Sequence, residues 1–288
     1  MSAALEHKNK QKFWESLFLR ILSVLALLPI ALGAMWYGSP YFEALVSIIV
    51  VFTCFEWVGL ICNKQQLRPD LLNRLTFLFL ITLVGLIFFL AIGNYILAGL
   101  TFLSTFASTY IVKRKIPGNV YRWWFYGFFV LGLPYISILF LRSMPVIGRE
   151  LIFFLFIITW ATDSLAFFAG NIFKGPKLAP KISPNKTWSG SIAGLIGAAL
   201  IGALSPLTLG SATFASLSPK LILIAVLISI AVQIGDLLES WAKRLFGVKD
   251  SSNLIPGHGG FLDRLDGLFL STPLLALIIY FFKEVFTF

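Results

Sequence analysis

Charged residues are scarce in this chain. Only 12% of its 288 residues are Asp, Glu, Lys or Arg, whereas a soluble domain carries roughly 25% because its surface must stay hydrated. This scarcity, with a hydrophobic content of 58% and a mean hydropathy of +0.88, excludes both an ordinary soluble domain and a disordered chain. We therefore interpret the chain as a membrane protein whose main solvent is lipid.

Cysteine and histidine are also rare, with two of each. Cys54 and Cys62 lie in one apolar run without CxxC spacing, which argues against a disulfide framework and against a zinc site. The charged stretch before Phe18 leads into an apolar run of about 20 residues that has no small-residue cleavage site. We expect this run to be a retained first span rather than a signal peptide.

Apolar segments long enough to cross a bilayer recur along the whole chain. The candidate spans are roughly 17–37, 41–62, 72–91, 93–112, 123–141, 150–171, 189–208, 220–242 and 265–286. Glycine and proline mark the breaks between them, and the shortest break lies around Gly93. We predict an all-α, polytopic integral membrane protein with about nine transmembrane helices. It forms a single membrane-embedded domain over 1–288, with motif-poor spans in 1–145 and a catalytic part in 150–270.

The basic residues predict the orientation of these spans. If the N-terminus is inside, all but four of the 23 Lys and Arg residues lie in inner segments. The four exceptions are Arg142, Arg149, Lys220 and Lys283. Membrane proteins collect cations on the cytoplasmic side, so this bias predicts an inside N-terminus and an outside C-terminus. It also explains the net charge of +10 without nucleic acid as a partner.

Two aspartates, Asp163 and Asp236, fall inside apolar stretches. A carboxylate at the centre of a membrane helix costs about 2.5–3.5 kcal/mol, so it is normally matched to a partner, an ion or a watery cavity. For Asp163, a structural ion pair or a helix end near the interface is an equally good explanation.

Asp236 shares a helical face with Glu239, Ser240 and Lys243. That face can hold a hard cation and a phosphate oxygen, although an amphipathic helix end with an i,i+4 pair is the simpler alternative.

The glycine-rich segment 249–266 is the most specific part of the sequence. Its glycines permit positive φ and close approach, so that backbone N–H groups can point at an anion. Asp263 and Asp266 follow and are expected to begin the ninth span. Oxygen ligands with few histidines suit Mg²⁺ rather than zinc. His258 stands alone, and its default interpretation is a hydrogen-bonded loop residue.

A second polar loop, 177–190, combines lysines and hydroxyls with two prolines that stiffen the backbone. This composition favours a fixed anion-binding loop. A basic anchor with Trp188 at the lipid interface is the alternative.

These motifs resemble the phosphatidate cytidylyltransferase family, also called CDP-diacylglycerol synthases. The resemblance covers about 160–270 and rests on 240–244, Lys249-Asp250, 256–260 and 263–266, with 178–184, 186–188 and 163–170 as further markers. Two positions depart from the family pattern. Asn185 stands where members usually have lysine, and Ser189 stands where many have glutamate.

The resemblance implies that CTP and phosphatidic acid react to give CDP-diacylglycerol and pyrophosphate. It implies Asp236 and Asp263 as principal ligands of Mg²⁺, with Asp266 in support and either one or two cations bound. Arg264, Lys249, Lys243 and Arg244 would neutralise phosphates. The remaining substrate-binding candidates are Ser183, Lys186, Thr187, Ser240, His258, Gly259 and Gly260. Asp250 would bind ribose or orient Lys249.

The same resemblance implies a homodimer, and the compact chain suits a bacterial inner membrane with the active site facing the cytoplasm. Two other functions remain open at this point. A CTP-dependent membrane lipid kinase would use the same nucleotide and compartment. A secondary transporter would also bury carboxylates, but it usually shows paired interruptions in two repeated halves.

Overall fold

The computed structural model describes residues 2–64, 69–92, 95–115, 120–209 and 218–282, and these are largely helical. The elements are α1 (Ser2–Tyr37), α2 (Tyr41–Lys64), α3 (Pro69–Ala91), α4 (Tyr95–Lys115), α5 (Val120–Ser143), α6 (Gly148–Phe173), β1 (Lys177–Ala179), β2 (Ser183–Thr187), α7 (Trp188–Thr208), α8 (Ser218–Phe246), α9 (Leu262–Leu265) and α10 (Leu268–Phe281).

Six helices in the described ranges are long and apolar enough to cross a membrane. These segments are Phe18–Tyr37, Tyr41–Cys62, Tyr121–Ser143, Gly148–Phe173, Trp188–Thr208 and Lys220–Phe246. Three shorter apolar helices, Asn73–Phe89, Ile96–Ile111 and Leu268–Phe281, occupy the other predicted positions. The prediction of a helical protein with several membrane spans is therefore confirmed, whereas the count of nine spans stays a prediction.

The boundaries near the uncertain break follow the sequence. Helix α3 ends at Ala91 and α4 begins at Tyr95, so two helices form there, and Gly93 itself lies outside the described residues. Helix α1 begins at Ser2, well before the predicted start of the first span at about 17. Cys54 and Cys62 are free and buried.

Helices α6, α7 and α8 pack on one another and contribute many of the polar residues that line the cavity described below. Small residues on α7 let the neighbouring backbones approach closely, as is common between membrane helices. A Cβ atom added at Gly190 would lie 2.5 Å from the carbonyl oxygen of Ala166 on α6. One added at Gly202 would lie 2.8 Å from the Cα of Ile222 on α8. Helix α10 packs against α5 and α8 and completes this side of the bundle.

The polar loop after α6 departs from the all-α prediction, because it forms a small antiparallel hairpin of β1 and β2. Lys177 pairs with Thr187 and Ala179 pairs with Ser183. Pro180 in the connection lacks an N–H group and restricts the residue before it to extended conformations, which favours a turn over a helix. The Oγ1 of Thr187 then accepts a hydrogen bond from the N–H of Gly190 and caps α7.

The start of the last span also differs from the prediction. Asp263 lies in the single turn α9, and Asp266 follows it, whereas the 14-residue helix α10 begins only at Leu268. The carbonyl of Asp266 packs closely against Gly235 of α8. A Cβ atom at Gly235 would lie 2.6 Å from that oxygen. The short turn therefore places both aspartates beside α8.

Candidate active site

A cavity of about 1060 Å³ lies between α6, the start of α7, α8, the hairpin and the segment 250–266. Its volume is sufficient for a nucleotide together with a phosphorylated head group, since drug-sized ligands occupy about 300–1,000 Å³. Both signs of charge line it. The acidic lining residues are Asp163, Asp236, Asp250, Asp263 and Asp266, and the basic ones are Lys174, Lys177, Lys186, Lys243 and Arg264.

Asp236 connects α8 to the hairpin. Its Oδ2 forms an ion pair with the Nζ of Lys186 on β2, and both side chains are about one-quarter exposed. The hydroxyl of Ser240, one turn further along α8, donates to Oδ1 at 3.4 Å. The hairpin therefore brings a lysine of the second polar loop to the acidic face of α8. Sequence reasoning singled out both groups but not this contact.

Lys243 connects the same face of α8 to the glycine-rich segment. Its Nζ lies 2.6 Å from Glu239 Oε2 and 2.7 Å from Asp263 Oδ1. All three side chains are largely buried. The i,i+4 pair considered from the sequence is thus present, and the lysine also reaches a second acid. Removing one partner from such a buried pair typically costs about 3–5 kcal/mol, because the remaining charge is left uncompensated.

Asp263 is saturated with hydrogen-bond donors. Its Oδ2 accepts from the N–H of Gly260 at 2.8 Å, the N–H of Ser251 at 2.9 Å and the Ser251 hydroxyl at 3.0 Å, while Oδ1 accepts from Lys243. Burial works against ionisation, but the bonds from Lys243 and Gly260 outweigh it and hold the pKa of Asp263 below its usual value. A carboxylate has about four lone-pair sites, so Asp263 binds a metal only by exchanging one of these bonds.

Three of the remaining carboxylates, Asp163, Asp236 and Asp266, lie close enough to repel one another. Burial, followed by the negative charge of Asp236, raises the pKa of Asp266 to about 7, and Asp163 adds to this repulsion. One oxygen of Asp266 accepts the N–H of Gly267 at 2.7 Å. Within the described part of the chain, no group of three or more His, Cys, Asp or Glu side chains is placed to hold a metal by itself. Mg²⁺ commonly takes only one or two carboxylates plus substrate phosphates, and the mutually repelling pair Asp236 and Asp266 fits that requirement.

The glycine-rich segment has the predicted backbone but uses its N–H groups differently. Gly257 and Gly259 have φ of +75° and +86°, which favours glycine. The N–H of Gly260 does point at an anion, but that anion is the protein's own Asp263. Arg264 lines the cavity, and its Nε donates to the carbonyl of His258 at 3.1 Å. The segment is therefore held by internal carboxylates.

Several predicted site residues lie beside the cavity rather than in its lining. They are Ser183, Ser240, Arg244, Lys249, His258, Gly259 and Gly260. Arg244 donates to the carbonyl oxygens of Val248 at 3.1 Å and Ile182 at 3.4 Å, and so joins α8 to the hairpin turn. The Nδ1 of His258 lies 2.8 Å from the hydroxyl of Ser23 on α1, which agrees with its default interpretation. Lys186, Thr187, Asp236, Lys243, Asp263, Arg264 and Asp266 do line the cavity.

Sequence reasoning missed three polar residues at or near the cavity. Gln233 and Ser191 line it and hydrogen-bond to each other across α7 and α8. Gln233 lies three residues before Asp236, so helical periodicity could have found it. Glu56 on α2 binds the glycine-rich segment from outside the cavity. An acid in the middle of an apolar span was the available signal.

The fold and the cavity together define a polytopic membrane protein whose polar site pairs carboxylates with lysine and arginine side chains. Residues 18–282 match the model of the cytidylyltransferase family, and the chain therefore belongs to that family. This confirms the resemblance seen in the motifs.

Relatives named phosphatidate cytidylyltransferase match over most of the chain. The protein from Brucella abortus biovar 1 (strain 9-941) is 38% identical over 265 residues, which cover 92% of this chain and 94% of that protein. The Rickettsia conorii protein is 31% identical over 276 residues, covering 95% of each chain. The Haemophilus influenzae protein is 32% identical over 292 residues, covering 91% of this chain and 98% of that protein.

Proposed function

We propose that the protein transfers the cytidylyl group of CTP to phosphatidic acid, giving CDP-diacylglycerol and pyrophosphate for phospholipid synthesis. The observation that carries this proposal is one large cavity with paired acids and bases, built from the same segments that hold the family motifs. The similarity to phosphatidate cytidylyltransferases favours this reaction over a lipid kinase or a transporter.

In this reaction a phosphate oxygen of phosphatidic acid attacks the α-phosphorus of CTP, and the bond to the β-phosphate breaks. The attacking phosphate is already ionised near neutral pH, so a strong general base is not required. Catalysis then consists of positioning two anions and neutralising the charge that builds on pyrophosphate. Lys186, Lys243 and Arg264 line the cavity and are the side chains proposed to bind phosphate oxygens.

We assign Asp236 and Asp266 as the carboxylates that would hold Mg²⁺. Both line the cavity, and their mutual repulsion favours a cation between them. Bound there, Mg²⁺ would supply positive charge to the phosphates of the nucleotide. Asp263, the third predicted ligand, joins this set only if it gives up a hydrogen bond from Ser251 or Gly260.

The proposed orientation has the N-terminus and the cavity on the cytoplasmic side of a bacterial inner membrane. The distribution of basic residues supports it, because the cavity lysines and Arg264 belong to segments on the cation-rich side. CTP is soluble and phosphatidic acid is a lipid, so a site at that interface can reach both. The homodimer implied by the resemblance stays a prediction, and the mass of the purified protein in detergent tests it.

A labelling experiment tests the reaction. Purified protein is given phosphatidic acid in detergent micelles with CTP labelled at either the α- or the γ-phosphate, with Mg²⁺ or with a chelator. We expect α-label in the lipid, release of pyrophosphate and loss of both on chelation. Label from the γ-position in the lipid would instead identify a kinase. If neither label enters the lipid, cytidylyl transfer is refuted and a transporter becomes the leading hypothesis.

A further inference from the structure

Glu56 is a buried carboxylate in an otherwise apolar part of α2, and only 4% of its surface is exposed. Four donors lie within hydrogen-bond distance of its oxygens, and one of them, the Ser251 hydroxyl, shares its single proton between Glu56 and Asp263. The N–H groups of Phe261 and Leu262 donate to Oε1 and Oε2 respectively, each at 2.8 Å. The hydroxyls of Ser252 and Ser251 lie 2.6 Å from Oε1 and 3.2 Å from Oε2. All four donors belong to one segment, 251–262, which we call the anchored loop.

Packing around the carboxylate fixes the loop more tightly. Phe52, about one turn before Glu56 on α2, stacks on Phe261 with the ring centroids 5.0 Å apart and the planes 4° from parallel. A Cβ atom at Gly260 would lie 2.6 Å from Glu56 Oε1 and 1.9 Å from the Oγ of Ser251. The loop backbone therefore lies directly against the carboxylate, and only glycine fits at that point.

The anchored loop connects Glu56 to the cavity through Ser251 and Asp263. The Ser251 hydroxyl lies between Glu56 Oε2 and Asp263 Oδ2, and the Ser251 N–H donates to Asp263. Asp263 in turn holds the Nζ of Lys243, and both of these side chains line the cavity. Glu56 itself is not among the lining residues. Any influence on the reaction must therefore act through the loop.

We propose that Glu56 is a positioning residue of the active site. By holding the anchored loop against α2, it fixes Asp263 and thereby sets the place of the Lys243 ammonium group in the cavity. The inference rests on the proposed cytidylyl transfer, because that reaction is what the positioned groups serve. A role in stability alone would lower the melting temperature but leave the kinetics of the folded enzyme unchanged.

The test compares Glu56→Gln with Glu56→Asp and with the matched control Glu43→Gln. Glu43 lies in the first turn of the same helix, about 20 Å from Glu56 along its axis. In Glu56→Gln, one carboxylate oxygen is replaced by an amide nitrogen, which cannot accept a hydrogen bond. In either orientation of the amide, this nitrogen faces one N–H donor and one hydroxyl donor of the anchored loop. We expect kcat/KM for CTP, expressed per folded enzyme, to fall about 10- to 100-fold. Glu56→Asp keeps the charge and should recover part of this loss, whereas Glu43→Gln should stay within about twofold of the wild type.

Hydrogen exchange gives a readout that is independent of activity. The N–H groups of Phe261 and Leu262 should exchange faster in Glu56→Gln than in the wild type. A lower melting temperature with unchanged kcat/KM per folded enzyme would overturn the positioning role, as would unchanged exchange in the loop. If Glu56→Gln does not fold, Ser252→Ala, which removes one of the four donors, should still reduce kcat/KM, and an unchanged value would overturn the inference.

The two proposals fail in different ways. If the wild-type protein incorporates no α-label from CTP into lipid, the proposed reaction is refuted and so is a positioning role that serves it. Exchange at Phe261 and Leu262 would in that case still report whether Glu56 anchors the loop. If the wild type is active and Glu56→Gln matches it, only the inference about Glu56 is refuted.

Discussion

Replacing Asp263 by asparagine removes one charge without changing the shape of the side chain. The amide has two orientations, and each is unfavourable. If its nitrogen faces Lys243, the buried ion pair is lost, and if it faces the loop, it meets the N–H groups of Ser251 and Gly260. Hydrogen bonds to charged groups are worth about 1.5–3 kcal/mol, and breaking a buried pair costs about 3–5 kcal/mol. We expect the loop to be destabilised by about 3–5 kcal/mol.

The loss in activity follows from that figure. In the proposed reaction the transition state requires the ordered loop, so the cost of ordering it adds to the barrier. Each 1.36 kcal/mol added is a factor of ten, so Asp263→Asn should reduce transfer at least about 100-fold. Lys243 keeps its pair with Glu239, so α8 should stay folded and inserted. The assay is incorporation of α-label from CTP into lipid by the purified variant, together with its melting temperature. Near-full activity would refute the reasoning.

The control for Asp263→Asn is Lys220→Gln, at the end of α8 opposite to Lys243. Lys220 is exposed and lies about 35 Å from Lys243 along the axis of α8. Lys220→Gln likewise changes one charge, but Lys220 is not part of the cavity lining. We expect its activity to match the wild type.

Three further changes test other parts of the site. Gly260→Ala should lower both the activity and the melting temperature, because the added Cβ atom would meet the loop and α2. Its control is Gly59→Ala, where nothing lies within 4 Å of the added atom. That variant should keep the activity of the wild type and an equal or higher melting temperature. At pH 8 in the presence of a chelator, Asp266→Asn should raise the melting temperature, because it removes the repulsion between Asp266 and Asp236. The same variant should gain less melting temperature from added Mg²⁺ than the wild type does. Lys186→Gln should raise KM for the phosphorylated substrates and leave Asp236 without its ion pair, and an unchanged KM in steady-state assays would contradict a phosphate-binding role.

The sequence predicted the parts of the site that depend on helical periodicity. Asp236, Glu239, Ser240 and Lys243 share one face of α8, as their spacing requires, and the ion pair and hydrogen bond along that face follow. The membrane character of the chain was also predictable, because composition alone decides it.

Features that depend on short turns were not predictable in the same way. The strands β1 and β2 have three and five residues, too few for a reliable alternation of apolar and polar positions. The close approach of the Asp266 carbonyl to Gly235 of α8 is a tertiary contact, which local sequence preferences do not reveal. The hydrogen-bond donors of Asp263 were not predictable either, because the fold brings the surrounding loop to this carboxylate and the loop satisfies its charge.

The contact between Glu56 and the loop also bears on how the protein is made. The donors Ser251 and Leu262 lie 195 and 206 residues after Glu56 in the chain. At a synthesis rate of about 5–20 residues per second, the ribosome needs on the order of 10–40 s to produce them after α2 has emerged. Throughout that interval the second helix enters the bilayer with a carboxylic acid that has none of its final donors. The contact between α2 and the loop therefore forms only after the C-terminal segment has been made, and we expect chains truncated before Ser251 to be degraded faster by membrane proteases than the full chain.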